Sequence, residues 1–314
     1  MTAHTDLLHD LPAHVSIRAL VRTDLPAVHE LLVAYERRVL GEALIDLEDL
    51  EADWERPSYL AARDSVGIWE GDALVAFGEV YRARRAEICI HPEAWGRGIG
   101  AALADWSVRL VREQDGDRVG QSVPDADGAA ASLFRSRGYE PMWTSWVLGL
   151  PPEAAIVDPP LPRGYAIRRY RPGHDDRAAY QVVEDAFGEW PDRDPSSYDD
   201  WAAGVLGRPG FEPWQLLLAV SADSAAQDGA GRVVGACHLV ISGDGCWVNQ
   251  LAVAGGHRGR GLGRSLLAAA FAAGRAHGAL RAELSTDSRT GALGLYEHLG
   301  MAVTSAFTHW AREV

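Results

Sequence analysis

The chain of 314 residues contains no lysine: all 30 basic side chains are arginine, set against 44 acidic ones for a formal net charge of −14. A P-loop needs a lysine to reach the outer phosphates of a nucleotide, so that architecture is excluded. The acidic balance disfavours nonspecific attraction to nucleic acid or to an anionic membrane surface, and neither is expected as a partner. Cysteine is scarce as well. Cys89, Cys237 and Cys246 have no CxxC spacing and leave an odd count. That argues against a disulfide framework or a zinc site, predicts no bound metal, and points to a reducing, cytoplasmic setting. No window approaches the ~18 consecutive apolar residues of a membrane span. Nor does the chain open with a basic flank and apolar stretch of the export type.

What the chain does have is glycine in a repeated pattern. Trp95-Gly96-Arg97-Gly98-Ile99-Gly100 recurs half a chain later as Arg258-Gly259-Arg260-Gly261-Leu262-Gly263. Each copy follows a strand-like run (86–90 and 247–253) and opens a helix-like run (101–111 and 264–277). A glycine-rich strand-to-helix turn aims unpaired backbone N–H groups and a positive helix end at one point, which suits a pyrophosphate. The repetition continues downstream, where Ala130, Leu133, Phe134 and Gly138 match Ala292, Leu295, Tyr296 and Gly300. Upstream, Ser16-Ile17-Arg18 matches Ala166-Ile167-Arg168. Co-linear matches of this kind mean a duplicated domain.

The expected layout is a domain over 1–150, a proline-rich semi-rigid linker over 151–162 and a second domain over 163–314. In each half the pattern reads strand, two helices, three strands, helix, strand, helix and closing strands. That is an α/β fold in which a mixed central sheet is flanked by helices. The stretch 223–232 reads as a polar loop between strands. A dinucleotide-binding fold would need a third glycine elsewhere and an acid about 20 residues on, and it fits poorly.

The glycine turn after a strand, followed by Ala-x-x-Leu-Tyr-x-x-x-Gly, resembles the GCN5-related N-acetyltransferases (GNAT), and the resemblance runs through both halves. It implies two tandem GNAT-like domains with acetyl-coenzyme A as co-substrate. In the second half, Arg258, Gly259, Arg260, Gly261, Leu262, Gly263 and Arg264 would wrap the pyrophosphate. Gly261 and Gly263 would be required because a Cβ there would push the phosphates away. Leu251, Ala252 and Val253 would hold the pantetheine arm by sheet-like bonds, and an N–H of that strand would polarise the thioester carbonyl. Arg289 stands where the family commonly has an asparagine touching pantetheine. Tyr296 falls where the family places the acid that protonates the leaving thiolate.

The first half departs from this pattern. Trp95 replaces the arginine or glutamine, Asp127 the asparagine and Phe134 the tyrosine. Its turn (Gly96, Arg97, Gly98, Ile99, Gly100) is a candidate second coenzyme A site, since backbone groups do most of the holding. Phenylalanine cannot donate a proton, so this half reads as a degenerate partner.

No acid precedes the second turn at 247–250. The candidate bases are therefore Glu283, Asp287, His238 and the acids of 184–200, with Glu87 on the equivalent strand of the first half. The resemblance implies that the first two helices of the domain wall the acceptor site, and here that stretch, carrying Glu184, Asp185, Glu189, Trp190, Asp192, Asp194, Tyr198, Asp199, Asp200 and Trp201, is acidic and aromatic. The expected function is direct acetyl transfer to a small-molecule amine in the second half, by a monomer or homodimer. The tandem layout is also similar to the mycothiol synthase type, which acetylates a cysteinyl amine, although Trp247 stands where that type carries a strand glutamate. Peptide N-acetylation and a non-catalytic coenzyme A-binding module are the remaining alternatives.

Overall fold

The computed structural model describes residues 11, 14–154, 160–190, 193, 195–222 and 231–314. Asp192, Asp194, most of the 223–232 loop and the middle of the 151–162 linker lie outside the described residues. The chain divides into two compact units, Met1–Ser145 with Ser305–Val314, and Trp146–Thr304.

The first unit contains strands β1 (Ser16–Arg18), β2 (Ser65–Glu70), β3 (Ala73–Tyr81), β4 (Arg85–Ile90) and β5 (Arg118–Pro124). Its helices are α1 (Leu25–Val39), α2 (Leu47–Trp54), α3 (Ala61–Asp64), α4 (Ile99–Glu113) and α5 (Gly128–Ser136). The chain's last strand, β12 (Ala302–Glu313), completes this sheet, its residues Phe307 to Glu313 pairing antiparallel with β5. The strand order is β1-β2-β3-β4-β5-β12. Period-two alternation sorts the side chains into two cores. Ala76 and Val80 of β3 join Leu103, Trp106 and Phe134 of α4 and α5, while Phe77 joins Leu25, Val28 and Leu31 of α1.

The second unit repeats the plan. It contains β7 (Tyr165–Arg169), α6 (Asp176–Gly188), α7 (Tyr198–Val205), β8 (Leu216–Ser221), β9 (Arg232–Ser242), β10 (Gly245–Val253), α8 (Leu262–Ala276), β11 (Arg281–Asp287) and α9 (Leu293–His298). Its first contribution is the end of β6 (Glu140–Leu150), and its strand order is β6-β11-β10-β9-β8-β7. Leu216 and Leu218 face α6 and α7, while Leu217 and Ala219 face α8. Helix α8 presents Leu262, Leu266, Leu267, Ala270 and Phe271 to that core, a stripe at helical spacing.

Each sheet is mixed, with a parallel β4–β5 or β10–β11 pair beside antiparallel neighbours, and helices cover both faces. Three local readings differ from the sequence expectation. The closing segments at 140–150 and 302–313 are single long strands rather than several. The short helix α3 has no counterpart among the expected elements. The last helix, which the sequence pattern predicts over 290–299, begins as α9 at Leu293, because Thr290 is engaged by Asp287 and Thr286 in the turn before it.

Candidate active site

Strand β10 pairs in parallel with β11 only from Gly245 to Val248, opposite Arg281 to Leu284. Beyond that point its register to β9 shifts between Val248 and Gln250, which leaves Asn249 as a bulge, and its pairing continues on the β9 side alone. The two parallel strands therefore part over the rest of β10. Ala254 N–H bonds the Val234 carbonyl at 2.9 Å, so by alternation Leu251 and Val253 turn their N–H and C=O groups to the open side, away from β9. Ala252 bonds toward β9, and its side chain belongs to the α6–α7 core. Of the three strand residues expected to hold pantetheine, two present backbone groups to the gap.

At the mouth of this gap lies the glycine turn. Gly259 and Gly261 adopt φ of 72° and 85°, and Gly261 is the left-handed N-cap of α8. A Cβ at either would meet nothing within 4 Å, so the backbone conformation is what requires glycine here. Gly263 has no positive φ, and a Cβ there would make only ordinary contact with Val253. The first N–H groups of α8 lack helical partners and carry the positive end of the helix dipole.

The turn's arginines divide into two kinds. Arg258 Nε donates to the Val253 carbonyl at 2.8 Å and its terminal nitrogens bind Glu189 at 2.5 and 3.1 Å. Arg258 thus anchors the turn. Arg260 and Arg264 are exposed and make no ion pair with any described residue. Arg289 is turned to Asp287, with Nη2 at 2.5 Å, and lies over the Trp190 ring at 5.7 Å.

Tyr296 packs in the same apolar cluster as Leu251, Val253 and Leu262. Burial, with a smaller contribution from Cys237, pushes its phenol up to about 12. It is a protonated donor at neutral pH, and its hydroxyl makes no hydrogen bond with a described residue. In the first unit Phe134 takes the matching place, buried edge-on against Tyr139.

The candidate bases are placed less favourably. His238 is fully buried, and burial together with Arg208 holds its imidazole down at about 3, so it stays neutral. Its ring Nδ1 lies 3.4 Å from the Asn249 amide, and its Nε2 has no hydrogen-bond partner among the described residues. Asp287 is occupied by Arg289, and Glu184 by Arg193 and the Ser196 N–H. In the first unit, burial raises the Glu87 carboxyl. The 184–201 stretch expected to wall the acceptor is less acidic than its composition, because both Glu184 and Glu189 are paired with arginine. Trp201 Nε1 donates to Gln250 Oε1 at 3.0 Å, a contact that fixes α7 against the bulged strand and that no periodicity or motif foretells.

A left-handed glycine turn that opens a helix is built twice in the chain. The acetyltransferase (GNAT) family matches residues 25–139 and 177–301. The chain belongs to that family. It is 33% identical over 263 residues to a mycothiol acetyltransferase of Salinispora tropica, covering 80% of each chain, and 29% identical over 261 residues to that of Thermobispora bispora, with 79% and 81% covered. Among solved structures, a GCN5-related N-acetyltransferase from Sphaerobacter thermophilus superposes with a TM-score of 0.75 at 28% identity, covering 96% of each chain. A tandem GNAT protein from the clavulanic acid biosynthesis pathway shares the fold, with a TM-score of 0.73 at 17% identity over 95% of this chain and 98% of that one. The protein is thus an acyltransferase made of two GNAT repeats. Among the described residues, no helix of this GNAT protein is long and apolar enough to cross a membrane.

Proposed function

We propose that this GNAT protein transfers the acetyl group of acetyl-coenzyme A to the amine of a small molecule, and that the reaction takes place in the second unit. The observation that carries the reading is the parting of β10 from β11 over the Gly259–Gly261 turn, with the buried phenol of Tyr296 in the same cluster. The backbone N–H and C=O of Leu251 and the N–H of Val253 suit the amide arm of pantetheine, whose two amides want strand-like partners. The α8 N-terminus with Arg260 and Arg264 suits the pyrophosphate. The Leu251 N–H faces the gap at the place for the thioester oxygen, where a fixed donor stabilises the charge that develops on attack.

The chemistry is a direct transfer. The neutral amine adds to the thioester carbonyl, the C–S bond breaks, and Tyr296 gives its proton to the departing thiolate as the amine nitrogen loses one to solvent. A donor held at about 12 keeps that proton until the sulfur develops charge. His238, Asp287 and Glu184 are buried or already paired, which favours an amine that arrives neutral and a rate supported by proximity.

The relatives named mycothiol acetyltransferase favour a cysteinyl amine of the mycothiol type over other small amines. Coenzyme A thiol release, measured across aminoglycosides, simple amines, short peptides and a cysteinyl amino sugar, tests this reading. Release with a small amine that collapses in Tyr296→Phe supports it. Release with peptides alone refutes the acceptor class, and release untouched by the mutation refutes the second-unit site.

A further inference from the structure

In the first unit, the gap between β4 and β5 is bridged from within. Gln121, on β5, accepts the Ile88 N–H on its Oε1 at 3.0 Å and donates from Nε2 to the Ile88 carbonyl at 3.0 Å. Ile88 occupies the place on β4 that Leu251 occupies on β10, counting back along the strand from the matched glycine turns. A side-chain amide has thereby made both bonds that a pantetheine amide or thioester oxygen would make there. In the second unit, Leu284 stands where β5 has Gln121, and no described side chain bonds the backbone of Leu251.

The phosphate end of the first unit is also spent. Arg97 corresponds to Arg260, and its guanidinium binds Glu70 and the Glu93 carbonyl, each at 2.8 Å. Ala101 stands where the second turn has Arg264. The turn itself is intact, with Gly96 and Gly98 at φ of 77° and 80°. The first unit has therefore kept the backbone of a donor site while its own side chains occupy the groups that would bind the donor.

We infer that Gln121 closes the first unit's donor slot, so that the chain binds a single acetyl-coenzyme A, in the second unit, and that removing this side chain opens a second site. The inference rests on the reading that the second unit binds acetyl-coenzyme A. Its consequence is functional: a chain with two glycine turns has one donor site, and any ligand of the first unit is something other than an acyl thioester.

Calorimetric titration of the full chain with acetyl-coenzyme A tests this directly. The expected stoichiometry is one equivalent for the wild type, none for Gly261→Val and two for Gln121→Ala, the second equivalent being the weaker. Two equivalents on the wild type, one on Gly261→Val, or one on a folded Gln121→Ala overturns the inference. No binding to the wild type at all overturns the assignment of the second unit's site instead, and this inference with it. Amide hydrogen exchange on the wild type needs no variant: acetyl-coenzyme A should slow exchange at Leu251 and leave Ile88, protected from the start, unchanged. Ligand-dependent protection at Ile88 overturns the closed slot.

Discussion

Arg258 Nε donates to the Val253 carbonyl at 2.8 Å and ties the start of the glycine turn back to the end of β10. In the first unit Trp95, at the matching position, makes the same tie with its indole Nε1 to the Ile90 carbonyl at 3.0 Å. Two unlike side chains thus supply one bond, and Glu189 adds a second hold on Arg258. Arg258→Ala should therefore raise the KM for acetyl-coenzyme A with little change in kcat. A lost hydrogen bond of about 1 kcal/mol corresponds to roughly fivefold. Arg258→Trp should lose less, because the indole can remake the bond to Val253. Steady-state kinetics with acetyl-coenzyme A varied decides it, and an unchanged KM in Arg258→Ala removes the tie from the binding machinery.

The two glycines of the second turn should separate under substitution. Gly261 sits at φ of 85°, so Gly261→Ala forces a side chain into the left-handed region at a cost of about 1–2 kcal/mol. Gly263 has ordinary backbone and a loose neighbour in Val253, so Gly263→Ala should leave the melting temperature within a degree or two of wild type. If the phosphates pass over Gly263, its alanine variant should still lose affinity for coenzyme A. Thermal melts and a binding titration on both variants give the answer. A Gly263→Ala variant that keeps both stability and affinity would mean that phosphate does not approach that position.

What is legible in the sequence follows from the range of each signal. The repeated turns, the helices they open and the α/β alternation depend on residues near one another in sequence, and the apolar period exposes them. The tyrosine and phenylalanine at 296 and 134 stand at fixed distances from the turns, so their difference was readable too. The clip from Gln121 to Ile88 depends on the register of two strands joined through a whole helix, and a lone glutamine carries no period to betray it. The pairing of Glu189 with Arg258 joins residues far apart in sequence, so a count of charges along 184–200 overstates the acidity of that segment. Likewise the alternation in 302–313 identifies a strand but not its partner, and the structure places Ser305–Val314 in the first unit beside β5.

An ion pair repeated in both units predicts how stability depends on pH. Arg168 binds both oxygens of Asp175 at 2.6 and 2.8 Å, as Arg18 binds Asp24 at 2.5 and 2.8 Å. Burial pushes the Asp175 carboxyl up, but the bonds from Arg168 and Arg171 outweigh it and hold the group at about 2, below its usual 3.8. A carboxyl depressed in the folded state stabilises the fold above its unfolded value, and that contribution is lost as the pH falls from about 4 toward 2. Discounted for the solvent-facing arginines, the effect is about 1–2 kcal/mol. Asp175→Asn should therefore lower the urea midpoint at neutral pH, with the gap to wild type shrinking near pH 3. A gap that stays constant with pH would assign the loss to packing.

Tyr296 offers the sharpest test of the chemistry, because its buried phenol and its protonation make separate demands. Replacement by phenylalanine keeps the ring in the apolar cluster that includes Leu251 and Leu262 and is the residue the first unit carries as Phe134, so the fold should be retained. Only the proton is lost. If Tyr296 is the acid for the leaving thiolate, kcat should fall about a hundredfold while the KM for acetyl-coenzyme A stays near wild type. The pH profile adds a condition that a packing role does not impose. A phenol held at about 12 remains protonated through the alkaline range, so wild-type kcat should not decline through Tyr296 below roughly pH 11. The variant should respond to the leaving group as well, losing least with thioesters whose thiols are the more acidic, since a better leaving group needs the acid less. A variant uniformly slowed across leaving groups would leave Tyr296 as a wall of the site, with the proton supplied by water.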